Sequence, residues 1–190
     1  MGNSLLKYLR FARDITISPF AFFRSMSVKE GVREAFYFLF FCLFLRIAER
    51  YMTAQKMGYF IIQQFKVAPT LTTGSFLFLL ATPVIIMLVL YVQSLFMVRI
   101  GVFFGGVGNL EGSFKIISFP QFLSLFYFIP YLGIAFHFYA VFLLLAGLVI
   151  VFRVDWISAV LTAFFSWLFT FIVYMLVTIP PAYFSGMIFH

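Results

Sequence analysis

Charge is what this sequence has least of. Only 10% of its 190 residues are Asp, Glu, Lys or Arg, against about 25% in ordinary soluble domains, while 64% are hydrophobic and the mean hydropathy is +1.10. A water-soluble core cannot absorb that excess, so a water-soluble enzyme is a poor starting point and the long apolar stretches read as membrane spans. Cysteine is nearly missing as well: Cys42 stands alone, which rules out an intrachain disulfide, and its neighbours Phe40, Phe41, Leu43 and Phe44 mark it as a small buried hydrophobe. The two histidines, His137 and His190, are far apart and have no adjacent carboxylates to complete a metal set. No serine, cysteine or HExxH hydrolase motif is legible. The expectation is a non-enzymatic protein with no catalytic residues, no metal and no cofactor. No cleavable signal peptide is expected, because the first long apolar run starts after residue 30 without a small-residue cleavage site behind it. A myristoylation signal would need Ser or Thr where Leu6 stands.

The charge that is present is basic, +7 in sum. It collects near the N-terminus and at the ends of apolar runs, where anionic headgroups would meet it; membrane lipids rather than nucleic acid are the expected partner. In residues 5–13, Leu5, Leu6, Leu9 and Ala12 follow helical spacing while Lys7, Arg10 and Arg13 recur every three residues on another side. That pattern predicts a short amphipathic helix lying on the membrane, with the three cations at lipid headgroups. Ser18-Pro19 then suits an N-cap and first helical position, and Ser27 with Glu30 has the spacing of a capping box. We divide the chain into a basic membrane-surface segment, 1–30, and a transmembrane domain, 31–190.

The first span begins after the capping box and should emerge near residue 50, where Arg46, Glu49 and Arg50 cluster; residues 51–66 read as interfacial. A second span covers about 74–98, contains Pro83 and is closed by Arg99, and residues 101–112 form a loop with five glycines. Residues 116–152 hold no Asp, Glu, Lys or Arg. As one straight helix that run would be about 55 Å long, so it must break, and Ile129-Pro130-Tyr131-Leu132-Gly133 is the natural place. The break leaves a short arm, 116–129, either a thin span or a re-entrant piece, and a full span, 133–152. Asp155 suits the cap of a last span that Pro180-Pro181 should stop. The fold class predicted is an all-α, polytopic transmembrane bundle of five spans. With the N-terminus inside, the inner flanks carry Lys7, Arg10, Arg13, Arg24, Lys29, Arg33, Arg99, Lys115 and Arg153, and the outer flanks carry Arg46, Arg50, Lys56 and Lys66. Nine against four favours N-terminus in and C-terminus out.

Three stretches resemble the Yip1-domain family in its compact prokaryotic form: Ser18-Pro19-Phe20-Ala21-Phe22-Phe23-Arg24, then Gly105-Gly106-Val107-Gly108-Asn109-Leu110-Glu111-Gly112-Ser113-Phe114, and Ile129-Pro130-Tyr131-Leu132-Gly133. The resemblance implies five transmembrane helices with a cytosolic N-terminus and an exoplasmic C-terminus, in agreement with the charge count. It also implies the cytoplasmic membrane of a prokaryote. Eukaryotic relatives associate with Rab-type GTPases through a longer cytosolic region; here that region is short and its acidic, tyrosine-containing motif is absent, so Rab binding does not carry over.

Several constellations remain. Ser158, Thr162, Ser166 and Thr170 recur every four residues on the last span, and Gly133, Ala140 and Gly147 every seven on the fourth. Such small, weakly polar faces let helices approach closely in lipid, so the two stripes are expected to meet each other or to form a homo-oligomer seam or a contact with another membrane subunit. In the glycine loop, Gly105, Gly106 and Gly108 lack the Gly-Lys-Ser/Thr ending of a phosphate loop, and Glu111 with Lys115 reads as a solvated i, i+4 pair capping the third helix. Gln93, Gln121 and His137 lie in or near apolar runs, where polar groups are costly and often mark functional cavities. Two functions follow. A membrane adaptor, working through helix packing and partner or lipid binding, would pair these three side chains separately and keep its interior dry. A small transporter, or a transporter subunit, would gather them around one cavity beside helices broken at Pro83, Pro120 and Pro130.

Overall fold

The computed structural model describes residues 2–26, 32–65, 73–127, 129 and 131–188, with side chains for 6, 8–26, 32–49, 81–127, 129, 131–173 and 175. The capping box at Ser27 and Glu30, Lys66, Pro130 and the side chain of Lys7 lie outside them. Every element among the described residues is helical: α1 Gly2–Ile17, α2 Pro19–Ser25, α3 Val32–Phe65, α4 Thr73–Phe103, α5 Leu110–Ser118, a 3-10 helix Phe119–Phe126, α6 Leu132–Val151 and α7 Trp156–Ile188. Three of them are long and apolar enough to cross a bilayer, over Ala81–Phe103, Leu132–Val151 and Trp156–Val173.

Several expected boundaries move. α3 does not end near residue 50 but runs on to Phe65, because the charged cluster there is itself a good helix-forming sequence. α4 passes Arg99, which lies exposed on its surface, and stops at Phe103. Pro180 and Pro181 do not stop α7, which continues to Ile188; the φ of about −65° that each proline ring fixes is itself helical, although each removes one backbone donor. Other signals act as read. Tyr131, at φ 63°, makes the sharp turn before α6. Asp155 caps α7, its carboxylate accepting from the Ser158 hydroxyl at 2.6 Å and from the Ile157 and Ser158 amides at 3.0 and 3.1 Å. Those bonds, the Ser158 hydroxyl first, hold the Asp155 carboxyl below its ordinary pKa.

The short arm is α5 followed by the 3-10 helix, and it lies antiparallel to α6 along the whole length of that helix. At one end the Val107 amide donates to the Phe152 carbonyl at 2.9 Å. In the middle Gly147 abuts Ile116, and at the far end Gly133 abuts the Tyr127 carbonyl. Nine residues at 1.5 Å and eight at 2.0 Å reach about 30 Å, the same length as the twenty residues of α6. A 3-10 winding thus lets a short sequence match a full span. Asn109 caps α5 by accepting from the Gly112 amide at 2.8 Å.

The N-terminal segment is built into the same core as the rest. Ile15 and Phe23 are each 1% exposed, and Tyr8, Phe11, Phe22 and Phe23 form an aromatic cluster with Phe38 and Phe119. The Tyr139 hydroxyl of α6 donates to the Thr16 carbonyl at 2.6 Å. The face of α1 turned to the bundle is therefore Tyr8, Phe11, Ala12 and Ile15, at helical spacing. Leu6 and Leu9 point the other way, exposed with Arg10, Arg13 and Ile17. Cys42 is buried in the same core.

Candidate functional site: a cleft between the last two helices

Gln93, Gln121 and His137 come from three different elements, and the structure brings all three to one cavity of about 500 Å³. Its floor is Gln93 of α4 with Ile117, Pro120, Gln121 and Tyr127. One wall is the α6 face His137, Ala140, Val141, Leu144 and Leu145, and the other is the α7 face Val160, Ala163, Phe164 and Trp167. Both walls follow i, i+3/i+4, i+7 spacing, which is one side of a helix. The rim is open, with His137, Val141, Phe164 and Trp167 all exposed.

Tyr127 is a polar lining residue that the sequence did not single out. Gln121 and Tyr127 are six residues apart, which is two full turns at three residues per turn but about 120° out of alignment at 3.6. The 3-10 winding, continued by the Tyr127 amide bonded to the Ser124 carbonyl at 3.3 Å, is what puts both on the cleft. Pro120 near the start of that winding was the only signal available. The Tyr127 and His137 rings meet edge-to-face, centroids 5.4 Å apart, and the Arg46 guanidinium lies 5.4 Å from the Tyr127 centroid without lining the cleft itself.

The lining carries no permanently charged side chain. None of the fourteen lining residues is Asp, Glu, Lys or Arg, and among the described residues Gln93, Gln121 and His137 make no side-chain hydrogen bond. Two amides, an imidazole and a phenol supply both donors and acceptors against walls that are otherwise apolar. Elsewhere, no three His, Cys, Asp or Glu side chains come together among the described residues.

The small-residue stripes do not meet. Gly147 packs on Ile116 and Phe23, Gly133 on Tyr127, and Ala140 faces the cleft. Thr162, Ser166 and Thr170 are buried, with the Thr162 methyl near Gly101 of α4 and the Ser166 and Thr170 hydroxyls bonded back to their own helix at Ala163 and Ser166. Ser158 belongs to the Asp155 cap instead. α7 therefore gives its hydroxyl face to α4 and its Val160 face to the cleft, which is why α6 and α7 can stand apart.

The glycine loop packs rather than binds. Phe152, fully buried, fills the space that side chains at Gly101 and Gly108 would need, and Gly106 sits against the Gly101 carbonyl and Val154. Gly105 takes φ 83°, a turn that favours glycine. Lys115 is 5% exposed and one Glu111 carboxylate oxygen is buried without a hydrogen-bond partner; the pair is not the solvated cap that its spacing suggested, because α5 is enclosed by α3, α4 and α6.

The Yip1 domain family model matches residues 13–178. No curated protein and no solved structure matches the chain.

Proposed function

The chain belongs to the Yip1-domain family, and on that premise we propose that it is a non-enzymatic integral membrane protein that takes a small ligand from the bilayer into the cleft between α6 and α7. The observation that carries this reading is the gathering of Gln93, Gln121 and His137, without hydrogen-bond partners, around one cavity. A bundle that only packs against partners gains nothing from three unpaired polar groups around one largely apolar cavity, where each costs free energy until a ligand satisfies it. Ion-coupled transport is less well supported, since no carboxylate lines the cleft and carboxylates commonly do the coupling. Native mass spectrometry of the detergent-purified protein tests the reading: wild type should carry an extra small mass that Ala163→Phe, which fills the cleft, no longer carries. Equal masses in the two, or a dimer of the chain lost in place of a small mass, would overturn it.

The placement that goes with this function has five crossings, by α3, α4, α5 with the 3-10 helix, α6 and α7. The full-length pairing of the short arm with α6 supports a crossing there rather than a re-entrant loop, and the nine-to-four distribution of Lys and Arg supports a cytosolic N-terminus. The membrane is the cytoplasmic membrane of a prokaryote. α1 lies at its surface, with Leu6, Leu9 and Ile17 toward lipid and Arg10 and Arg13 toward phosphates, an arrangement that its exposed side supports. A reporter fused ahead of Met1 should read as cytosolic and one fused after His190 as external. A cytosolic C-terminal reporter would mean an even number of crossings and remove the short arm from the count.

A further inference from the structure

Resting on the cleft reading above, we infer that the ligand is a single-chain lipid with an uncharged, hydrogen-bonding headgroup, a hydroxyl or amide rather than a carboxylate or phosphate. Three observations meet on this class. The polar groups in the cleft are mixed in character, amide and phenol with imidazole, so they complement a headgroup that both donates and accepts. An anionic headgroup would enter a largely apolar cleft with no Lys or Arg on its lining, and a buried charge without a partner is strongly disfavoured. The Arg46 guanidinium beside the Tyr127 ring is outside the lining and already has that ring and a further partner.

The shape supplies the rest. About 500 Å³ is the size of a small-ligand site, enough for one headgroup and one chain. His137 and Trp167 are on the open rim, so entry is sideways, the route open to a molecule already dissolved in the bilayer. Leu144 and Leu145 line the inner wall, with Val160 exposed at the mouth, and give an alkyl chain the same apolar surroundings that it leaves. The amides, not the burial of the chain, then decide what stays.

Full-length protein in phosphatidylcholine liposomes provides the test, with three photoreactive probes of the same chain length: a monoacylglycerol, a fatty acid and a lysophosphatidic acid. The monoacylglycerol should label the chain at residues on α6 and α7. Gln121→Leu or His137→Phe should each reduce that labelling about tenfold, the scale of losing one hydrogen-bond partner in a desolvated site. Both anionic probes should label wild type no more than the monoacylglycerol labels Ala163→Phe. Val160→Trp serves as a second cleft-filling variant, and each variant is scored only with a wild-type thermal unfolding profile. Equal labelling by the fatty acid or the lysophosphatidic acid would overturn the headgroup assignment while leaving the cleft as a binding site. So would monoacylglycerol labelling indifferent to Gln121 and His137. Labelling by all three probes that is unchanged in both cleft-filling variants would overturn the cleft reading itself.

Discussion

Phe152→Ala is expected to cost about 3–5 kcal/mol of unfolding free energy, the usual loss for a fully buried phenylalanine. The ring is 0% exposed and closes the end of the bundle where α4, the glycine loop and α6 meet. A Cβ on Gly108 would lie 2.2 to 2.4 Å from three ring carbons, and one on Gly101 would lie 2.5 Å from the same ring. The two glycines therefore exist for the phenylalanine. Between apolar helices in lipid, such packing is a principal source of cohesion. Gly108→Ala alone should cost about 1–3 kcal/mol through overpacking, and the pair Gly108→Ala with Phe152→Leu should cost well under the sum of the single changes. Denaturation in detergent read as a double-mutant cycle checks this; additivity to within about 0.5 kcal/mol would show that the ring and the glycine do not share the space.

Gly147→Leu is the second large effect, expected at about 1–3 kcal/mol or above. The Cβ alone would come within 2.8 Å of Ile116 and 3.1 Å of Phe23, both buried and both held by further neighbours. Thr162→Leu should behave similarly, since Thr162 is 0% exposed beside Gly101. Phe169→Ala provides the contrast: its ring stacks on Phe96 at 5.6 Å but is 45% exposed. Thermal unfolding in detergent should rank Gly147→Leu and Thr162→Leu below Phe169→Ala and Leu144→Ala. The reverse order would place the small faces toward lipid.

What the sequence shows of this fold is where helices break and which residues are too polar for their surroundings. The turn at Tyr131, the cap at Asp155 and the trio Gln93, Gln121 and His137 all come from such local misfits. Facing is a different matter. α4 and α6 are apolar nearly all the way round, so no periodicity tells a lipid side from a packed one, and small-residue stripes mark a close contact without naming its partner. That is why the glycine side of α6 could be paired with α7 on paper, although it rests on α5, the 3-10 helix and Phe23. The N-terminal segment adds a face that the spacing of Leu6 and Leu9 did not announce: Tyr8, Phe11 and Ile15 bury aromatic and aliphatic surface against the bundle while the two leucines stay exposed.

The pitch of residues 119–126 carries one more consequence. A polar pair set six apart lies on one side only while the chain winds three residues to the turn; rewound as an α-helix, the same residues would part by about 120° and the segment would shorten by about 4 Å. The chemistry on the cleft lining is thus written partly in a helical pitch and not wholly in residue types. A relative that keeps Gln121 and Tyr127 but lacks the proline that begins the winding has the letters of the site without its grammar.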